Sequence, residues 1–323
     1  MARDRILLVG AAYQDIILDV PHFPQEDTKL QVRNLVRRWG GNVVNIARVL
    51  RALDDNLDIH LVVPLPSEST SKEFLEFCAR INVTVSPLFS DATEFPVAYV
   101  TRSLDRNTRT ILNYSNVPQF DQTTIQHVLD LISSHEYSWL HFEGRTPEFL
   151  EKCLDAPEIA SKVNVSLELE KPDRLWLLPL ASKVSTVFSN CEFLRKVHRP
   201  DWNADFRERC LSFLNSGVSP NCFITSGSSV TFGSVAGDPV FMPIEKVSSK
   251  ESTGAGDSFA AACIYYLMRN AGGTEETVRF ANLVAYQFLE SKDNDISSSS
   301  GSSDTLNSER MPIPCDFAER LRN

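Results

Sequence analysis

Ser252-Thr253-Gly254-Ala255-Gly256-Asp257-Ser258-Phe259 puts two glycines and a carboxylate at the start of an apolar run. Glycine lets a backbone turn tightly and lie close against a ligand. Phe259, Cys263, Tyr266 and Leu267 then recur at helical spacing, so Gly254, Ala255 and Gly256 stand where a helix opens. The start of a helix offers unpaired N–H groups and the positive end of the dipole, which suit a phosphate or a developing oxyanion. Asp257 is placed to take the proton of an attacking hydroxyl. The chemistry implied is phosphoryl transfer to an alcohol. Read alone, the same tetrapeptide fits a turn with an aspartate cap. No Gly-Lys-Ser or Gly-Lys-Thr follows, so this is not a P-loop.

A second stretch, Arg37-Arg38-Trp39-Gly40-Gly41-Asn42-Val43-Val44-Asn45, has the makings of a hydroxyl-binding site. Val43, Ile46, Leu50 and Leu53 mark a helix, with Asn42 expected as its cap. Asn42 and Asn45 are three apart and so share a face. Their amides, with exposed N–H groups beside Gly41, can grip the hydroxyls of a sugar. Asp15, just after the apolar run 6–9, adds an acceptor for hydroxyl hydrogens. A capped helix after a Gly-Gly turn explains these residues without any ligand.

The two stretches together, Gly40-Gly41-Asn42-x-x-Asn45 early and Ser252 to Asp257 late, resemble the ribokinase/PfkB family of ATP-dependent carbohydrate kinases. The resemblance runs from residue 5 to about residue 290. It is closest to the ketohexokinase-type members, through Arg109-Thr110-Ile111-Leu112-Asn113-Tyr114, His141-Phe142-Glu143-Gly144-Arg145 and Leu167-Glu168-Leu169-Glu170-Lys171-Pro172. It implies Asp257 as general base, with N–H groups of Gly254, Ala255 and Gly256 on the transferring phosphoryl group. Asp15, Gly41, Asn42 and Asn45 then bind the sugar, and Arg109 reaches the sugar or phosphate side; a solvated strand-edge arginine is its plain alternative. Gly227 and Ser228, in Thr225-Ser226-Gly227-Ser228, match the ATP-contacting loop, and Asn282 an adenine-side position; a turn and an exposed helix residue are the alternatives. Mg2+ accompanies the ATP, with Glu192 touching it indirectly through water, although Ser189 stands where the family often has asparagine. Glu251-Ser252 replaces the common Asp-Thr, which leaves K+ activation open.

Around these residues, β-rich runs at 6–9, 59–63, 139–142, 163–169, 184–188 and 222–225 alternate with helical stretches at 71–80, 123–134 and 202–215. That alternation predicts an α/β fold whose mostly parallel sheet is covered on both faces. Ligands on such sheets bind beyond the carboxyl ends of the strands. The stretches 16–20, 30–36, 95–101 and 108–114 alternate polar with apolar and read as antiparallel strands. The resemblance makes the whole a ribokinase-like three-layer sandwich with a small antiparallel β-lid, from about 16–37 and 94–114. It also implies a homodimer paired through that lid. One kinase domain over 1–290 is expected, then a Ser-rich flexible linker at 291–310 and a C-terminal segment at 311–323.

Composition narrows the class. Of 323 residues, 32 are Lys or Arg and 42 Asp or Glu, a net charge of −10 that disfavours nucleic-acid and anionic-membrane partners. Seven cysteines without a Cys-x-x-Cys pair suggest reduced thiols and a cytoplasmic location. Asp15 and Asp19 interrupt the apolar N-terminal run, so a buried first strand is expected there rather than a leader. The expected partners are a monosaccharide and ATP, with the carbon-1 hydroxyl of a ketohexose as the acceptor suggested by the resemblance. Ribose, another sugar or a nucleoside on the same fold, or a sugar-binding relative without turnover, remain alternatives.

Overall fold

The computed structural model describes residues 4–160, 164–198, 205–227, 229–244, 254–269 and 272–298. Its first strand, β1 (Arg5–Val9), is an unbroken apolar run from Ile6 onward because both its faces are covered. Ile6 and Leu8 enter one core while Leu7 and Val9 enter the other, as the period-two alternation of a strand requires. Each such side chain contributes about 1.5–3 kcal/mol by leaving water.

The next elements are β2 (Tyr13–Val20), β3 (Asn34–Gly40), α1 (Asn42–Leu53), β4 (Asp58–Leu65), α2 (Glu68–Arg80), β5 (Thr84–Phe89), β6 (Val97–Ser103) and β7 (Thr108–Tyr114). After them come α3 (Gln122–Ser134), β8 (Trp139–Phe142), α4 (Pro147–Leu154), α5 (Pro157–Ala160), β9 (Asn164–Leu169) and a 3-10 segment at Leu175–Lys183. The chain continues through β10 (Thr186–Asn190), α6 (Cys191–Val197), α7 (Phe206–Asn215), β11 (Asn221–Thr225), β12 (Val230–Val235), β13 (Asp238–Pro243), α8 (Ala255–Met268) and α9 (Thr274–Ser298).

Nine strands form the central sheet in the order β13-β12-β11-β10-β9-β8-β1-β4-β5. It is parallel from β11 to β5 and antiparallel only at β11/β12 and β12/β13. Residues of α1, α2, α8 and α9 build one core and residues of α3, α4, α6 and α7 the other, so the expected three layers are present. Strand β1 lies between β4 and β8, where the chain order reverses. Helix α8 is buried nearly all round from Asp257 to Ile264, packed beside α1 and α9.

A separate four-stranded sheet has the order β3-β2-β6-β7. It corrects the expectation of an antiparallel sheet in one respect. The pairs β2/β3 and β6/β7 are antiparallel, but the central pair β2/β6 is parallel. The chain passes through α1, β4, α2 and β5 between β3 and β6, a crossover long enough to re-enter in the same direction. One face carries Asp19, gripped by Arg102 through bonds of 2.6 and 2.7 Å, both side chains buried. The other face places Leu35 opposite Leu18, and Tyr99 between Ile16 and Leu112. Leu35, Tyr99 and Leu112 are exposed, Leu112 by 64%.

Two boundaries also differ. Strand β3 begins at Asn34 rather than near residue 30 and runs to Gly40, so strand feeds helix with no separate Gly-Gly turn. Helix α9 continues to Ser298, which makes the first eight residues of the expected linker helical. Residues 299–323 lie outside the described residues.

Candidate active site

The first motif folds around the carboxylate of Asp15. Gly40 lies opposite Tyr13, two residues before Asp15, and a Cβ on Gly40 would meet the Asp15 carboxyl carbon at 2.6 Å. Asp15 is buried and holds Arg38 Nε at 3.3 Å. Gly40→Ala therefore displaces this carboxylate while the backbone conformation remains allowed. The expected result is an acceptor KM raised by about tenfold, the worth of one hydrogen bond of about 1–1.5 kcal/mol, with little change in melting temperature. Steady-state kinetics beside a thermal melt check it.

Gly41 has φ +100, which favours glycine, and a Cβ there would collide with the Ala11 carbonyl oxygen. It is Gly41, and not Asn42 as expected, that caps α1, without a side-chain cap bond. Asn42 is the first helical residue, and its amide is engaged by two carboxylates at the end of β9. Its Nδ2 donates to Glu168 Oε2 at 2.6 Å and to Glu170 Oε2 at 3.1 Å. One turn along, buried Asn45 donates from Nδ2 to Asp257 Oδ2 at 2.7 Å. The two motifs, 212 residues apart, thus meet side chain to side chain.

Asp257 is the third residue of α8 and is buried. Gly254 precedes the helix at φ +85 and ψ 2, a left-handed residue that swings the chain into it. The first N–H groups of α8, at Ala255 and Gly256, have no helical acceptors and form a cradle that fits an anion. Ser258 locks the turn by donating its hydroxyl to the Gly254 carbonyl at 2.7 Å.

Glu168 and Glu170 carry no role in the sequence analysis. Two apart at the carboxyl end of β9, they send both carboxylates to one side of the strand. That Glu-x-Glu spacing was the available signal. With Ser189, Thr225 and Gly256 they line a cleft whose apolar wall is Phe188, Phe223 and Phe259. Phe188 stacks on Phe223 at 5.7 Å.

The electrostatics follow from crowding. Burial pushes Asp257 well above the ordinary carboxylate range, helped by Glu170 and Glu168 and opposed by the Asn45 bond. Burial and the neighbouring carboxylates raise Glu168 as well, and burial raises Glu170. Glu143, after β8, accepts the Ala11 N–H at 3.0 Å and pairs with Arg145 at 2.7 Å. Among the described residues no group of three or more His, Cys, Asp or Glu is set to hold a metal by itself. Mg2+ needs only one or two carboxylates, its own waters and substrate phosphates. Glu170, in the cleft, offers an oxygen donor of that kind.

Other expected residues lie further out. Glu192 is exposed on the first turn of α6 and does not line the cleft. Its neighbour Asn190 caps α6 and donates to the Glu170 carbonyl at 3.1 Å. Arg109 is exposed on β7, opposite Arg102. Gly227 is exposed at φ +58 after β11, while Asn282 on α9 donates to Thr231 Oγ1 at 2.9 Å. Ser228, Glu251, Ser252 and Thr253 lie outside the described residues.

The pattern of the pfkB family carbohydrate kinases matches residues 3–300. The chain belongs to that family, whose members are phosphotransferases acting on hydroxyl groups and use ATP, generally with Mg2+. It is 28% identical to a ketohexokinase of Mus musculus over 300 residues, 88% of this chain and 96% of that protein. It is 22% identical to a nucleoside kinase of Methanocaldococcus jannaschii over 264 residues, 80% of this chain and 82% of that one. Among solved structures, a ribokinase of Thermotoga maritima superposes with a TM-score of 0.72 at 16% identity, covering 98% of this chain and 99% of its own. The phosphofructokinase-2 of Escherichia coli in complex with fructose-6-phosphate gives 0.72 at 18% identity, covering 90% and 94%. These structural likenesses speak to the fold, and their ribokinase-like sandwich is the one found here. No helix among the described residues is long and apolar enough to cross a membrane.

Proposed function

We propose that the protein transfers the γ-phosphoryl group of ATP to the carbon-1 hydroxyl of a ketohexose. The observation that carries the transfer is the 2.7 Å bond from Asn45 to Asp257, beside the opening of α8. Asp15, Gly41, Asn42 and Asn45 hold the sugar, and Arg109 approaches when the small sheet closes as a lid. Asp257 takes the proton of the attacking hydroxyl, and the N–H groups of Gly254, Ala255 and Gly256 face the transferring phosphoryl group. The loop with Gly227 and Ser228, and Asn282 on α9, serve the nucleotide. Mg2+ supplies charge neutralisation on the phosphates, with Glu170 nearer to the cleft than Glu192.

The ketohexose is favoured by the near full-length similarity to the mouse ketohexokinase. A nucleoside acceptor is the second reading, favoured by the similarity to the archaeal nucleoside kinase. A coupled ADP-release assay across ketoses, aldoses and nucleosides, with NMR of the product, separates them: turnover on fructose giving the 1-phosphate supports the first. Turnover confined to nucleosides selects the second. Sugar binding by calorimetry without any turnover selects a sensor on a kinase fold.

The exposed apolar row of Leu35, Tyr99 and Leu112 is taken to pair lid against lid in a homodimer in the cytoplasm. Leu112→Glu places a charge in that row, and the expected result in analytical ultracentrifugation is a shift from dimer to monomer. A wild-type monomer at micromolar concentration rejects the pairing.

A further inference from the structure

Beneath Asn42 runs a chain of buried polar groups that the phosphoryl chemistry leaves unused. Trp139 Nε1 donates to Ser166 Oγ at 2.8 Å, and the same hydroxyl lies 2.9 Å from His141 Nδ1. His141 Nε2 is 3.2 Å from Glu168 Oε1. The other oxygen of that carboxylate, Oε2, accepts from Asn42. Trp139, His141, Ser166 and Glu168 are all buried, so none of these partners can be exchanged for bulk water.

Two proton arrangements satisfy the chain. An indole N–H only donates, so Ser166 Oγ must accept from Trp139 in both. If Glu168 is ionised, the Ser166 hydroxyl donates to His141 Nδ1 and His141 donates from Nε2 to Oε1. If Glu168 is protonated, Oε1 donates to Nε2, His141 donates from Nδ1 to Ser166, and Ser166 donates to the Leu140 carbonyl, 3.4 Å away. The histidine shifts its tautomer between the two. In neither does a proton need to sit on Oε2.

We infer that His141 and Glu168 are positioning residues for Asn42: the imidazole holds Oε1 at 3.2 Å and so fixes the carboxylate with Oε2 facing the Asn42 amide. Glu170 Oε2 takes the second amide hydrogen at 3.1 Å. With both hydrogens of Nδ2 committed, Asn42 meets a ligand through its carbonyl Oδ1, an acceptor for a hydroxyl hydrogen. This sets the polarity of recognition at one acceptor hydroxyl, and for the sugar it rests on the proposed function. Without His141 the carboxylate loses the partner that fixes its orientation, and the Asn42 amide is free to turn over and offer the sugar an N–H instead. Burial holds His141 itself neutral at ordinary pH, down to about 4.

The test compares wild type, Glu168→Leu, His141→Phe and His141→Asn with fructose and with a set of deoxyfluoro ketohexoses. Fluorine replaces a hydroxyl but cannot donate to Oδ1. Glu168→Leu, which can neither accept from Asn42 nor meet His141, and His141→Phe are expected to raise the fructose KM at least about tenfold with kcat within about threefold, and to relax discrimination against one fluorinated analogue. His141→Asn, which can donate and accept, recovers most of the loss. Unchanged KM in both variants, or a fall in kcat alone, overturns the inference.

A second readout needs no turnover. The Asn42 side-chain amide protons in 15N-labelled wild type should exchange with solvent at least about tenfold more slowly than in Glu168→Leu. Equal exchange overturns the inference even if the variants of His141 fail to fold. If wild type phosphorylates no acceptor yet Asn42 is protected, the proposed function fails while the positioning stands.

Discussion

Asp257→Asn lowers kcat by about 10²–10⁴-fold, the usual worth of general-base help, while leaving a folded protein. The substitution is nearly isosteric, and the introduced amide can still meet Asn45 through its own carbonyl. Its effect on stability has the opposite sign. Burial beside Glu170 and Glu168 raises the folded-state pKa of Asp257 above its unfolded value. A raised folded pKa means that folding favours the protonated form, so the associated stability is present below the unfolded value of about 3.9 and is lost as pH rises through the folded pKa. The melting temperatures of wild type and Asp257→Asn should coincide at the acid end. They should separate in favour of the variant once pH passes the ordinary carboxylate range. A variant that is inactive but more stable at neutral pH is the expected signature of a buried carboxylate kept for chemistry. The pH profile of wild-type kcat/KM carries the same information. The base must be ionised in the free enzyme, so activity falls on the acid side at a pH above the ordinary carboxylate range, with Asp257, Glu168 and Glu170 titrating as one set. An acid limb at the ordinary aspartate value would contradict the crowding seen around Asp257.

Gly254→Ala is expected to lose about 10²–10³-fold in kcat and to lower the melting temperature as well. At φ +85 an L-residue bears a cost of about 1–2 kcal/mol in the left-handed region. The added Cβ would also sit 3.1 Å from a ring carbon of Phe288 and 3.5 Å from Asn45 Nδ2. Relief of that contact moves the opening of α8 or the Asn45 amide, and either shifts the cradle relative to Asp257. Removing one pre-aligned N–H donor from a developing anion costs about 10²–10³-fold. Gly256→Ala is the control. A Cβ there finds nothing nearer than Glu170 Oε1 at 3.7 Å, and the position has no left-handed requirement. Rapid-quench kinetics on the two variants, beside thermal melts, distinguish them. Equal losses in both would mean that crowding of the cleft, and not the turn at Gly254, sets the rate.

Much of the scaffold was legible because its signals are local. The apolar runs that became β1, β4, β8 and β11, and the helical periodicity of α2 and α3, reflect burial that each segment records in its own residue pattern. Strand β13 is not legible in this way, since prolines near both ends of Asp-Pro-Val-Phe-Met-Pro disfavour a strand and are tolerated only at the sheet edge. Asn42 reads as a cap because asparagine favours that position, but a glycine at φ +100 already turns the chain there.

The sequence by itself determined which residues make up the proposed site: the glycine turn with Asp257, the paired asparagines and Asp15 are visible in type and spacing. The tertiary structure alone decided how they work together. Sheet order brings β1, β8 and β9 side by side, so Glu143, Glu168 and Glu170 arrive at one carboxyl edge from separate parts of the chain. There Asn42 and Asn45 are turned onto acidic partners, and the charge of Asp257 is set by neighbours close in space but distant in sequence. Hydrogen-bond direction and proton affinity depend on through-space distance and exclusion of water, and no spacing along a chain encodes either.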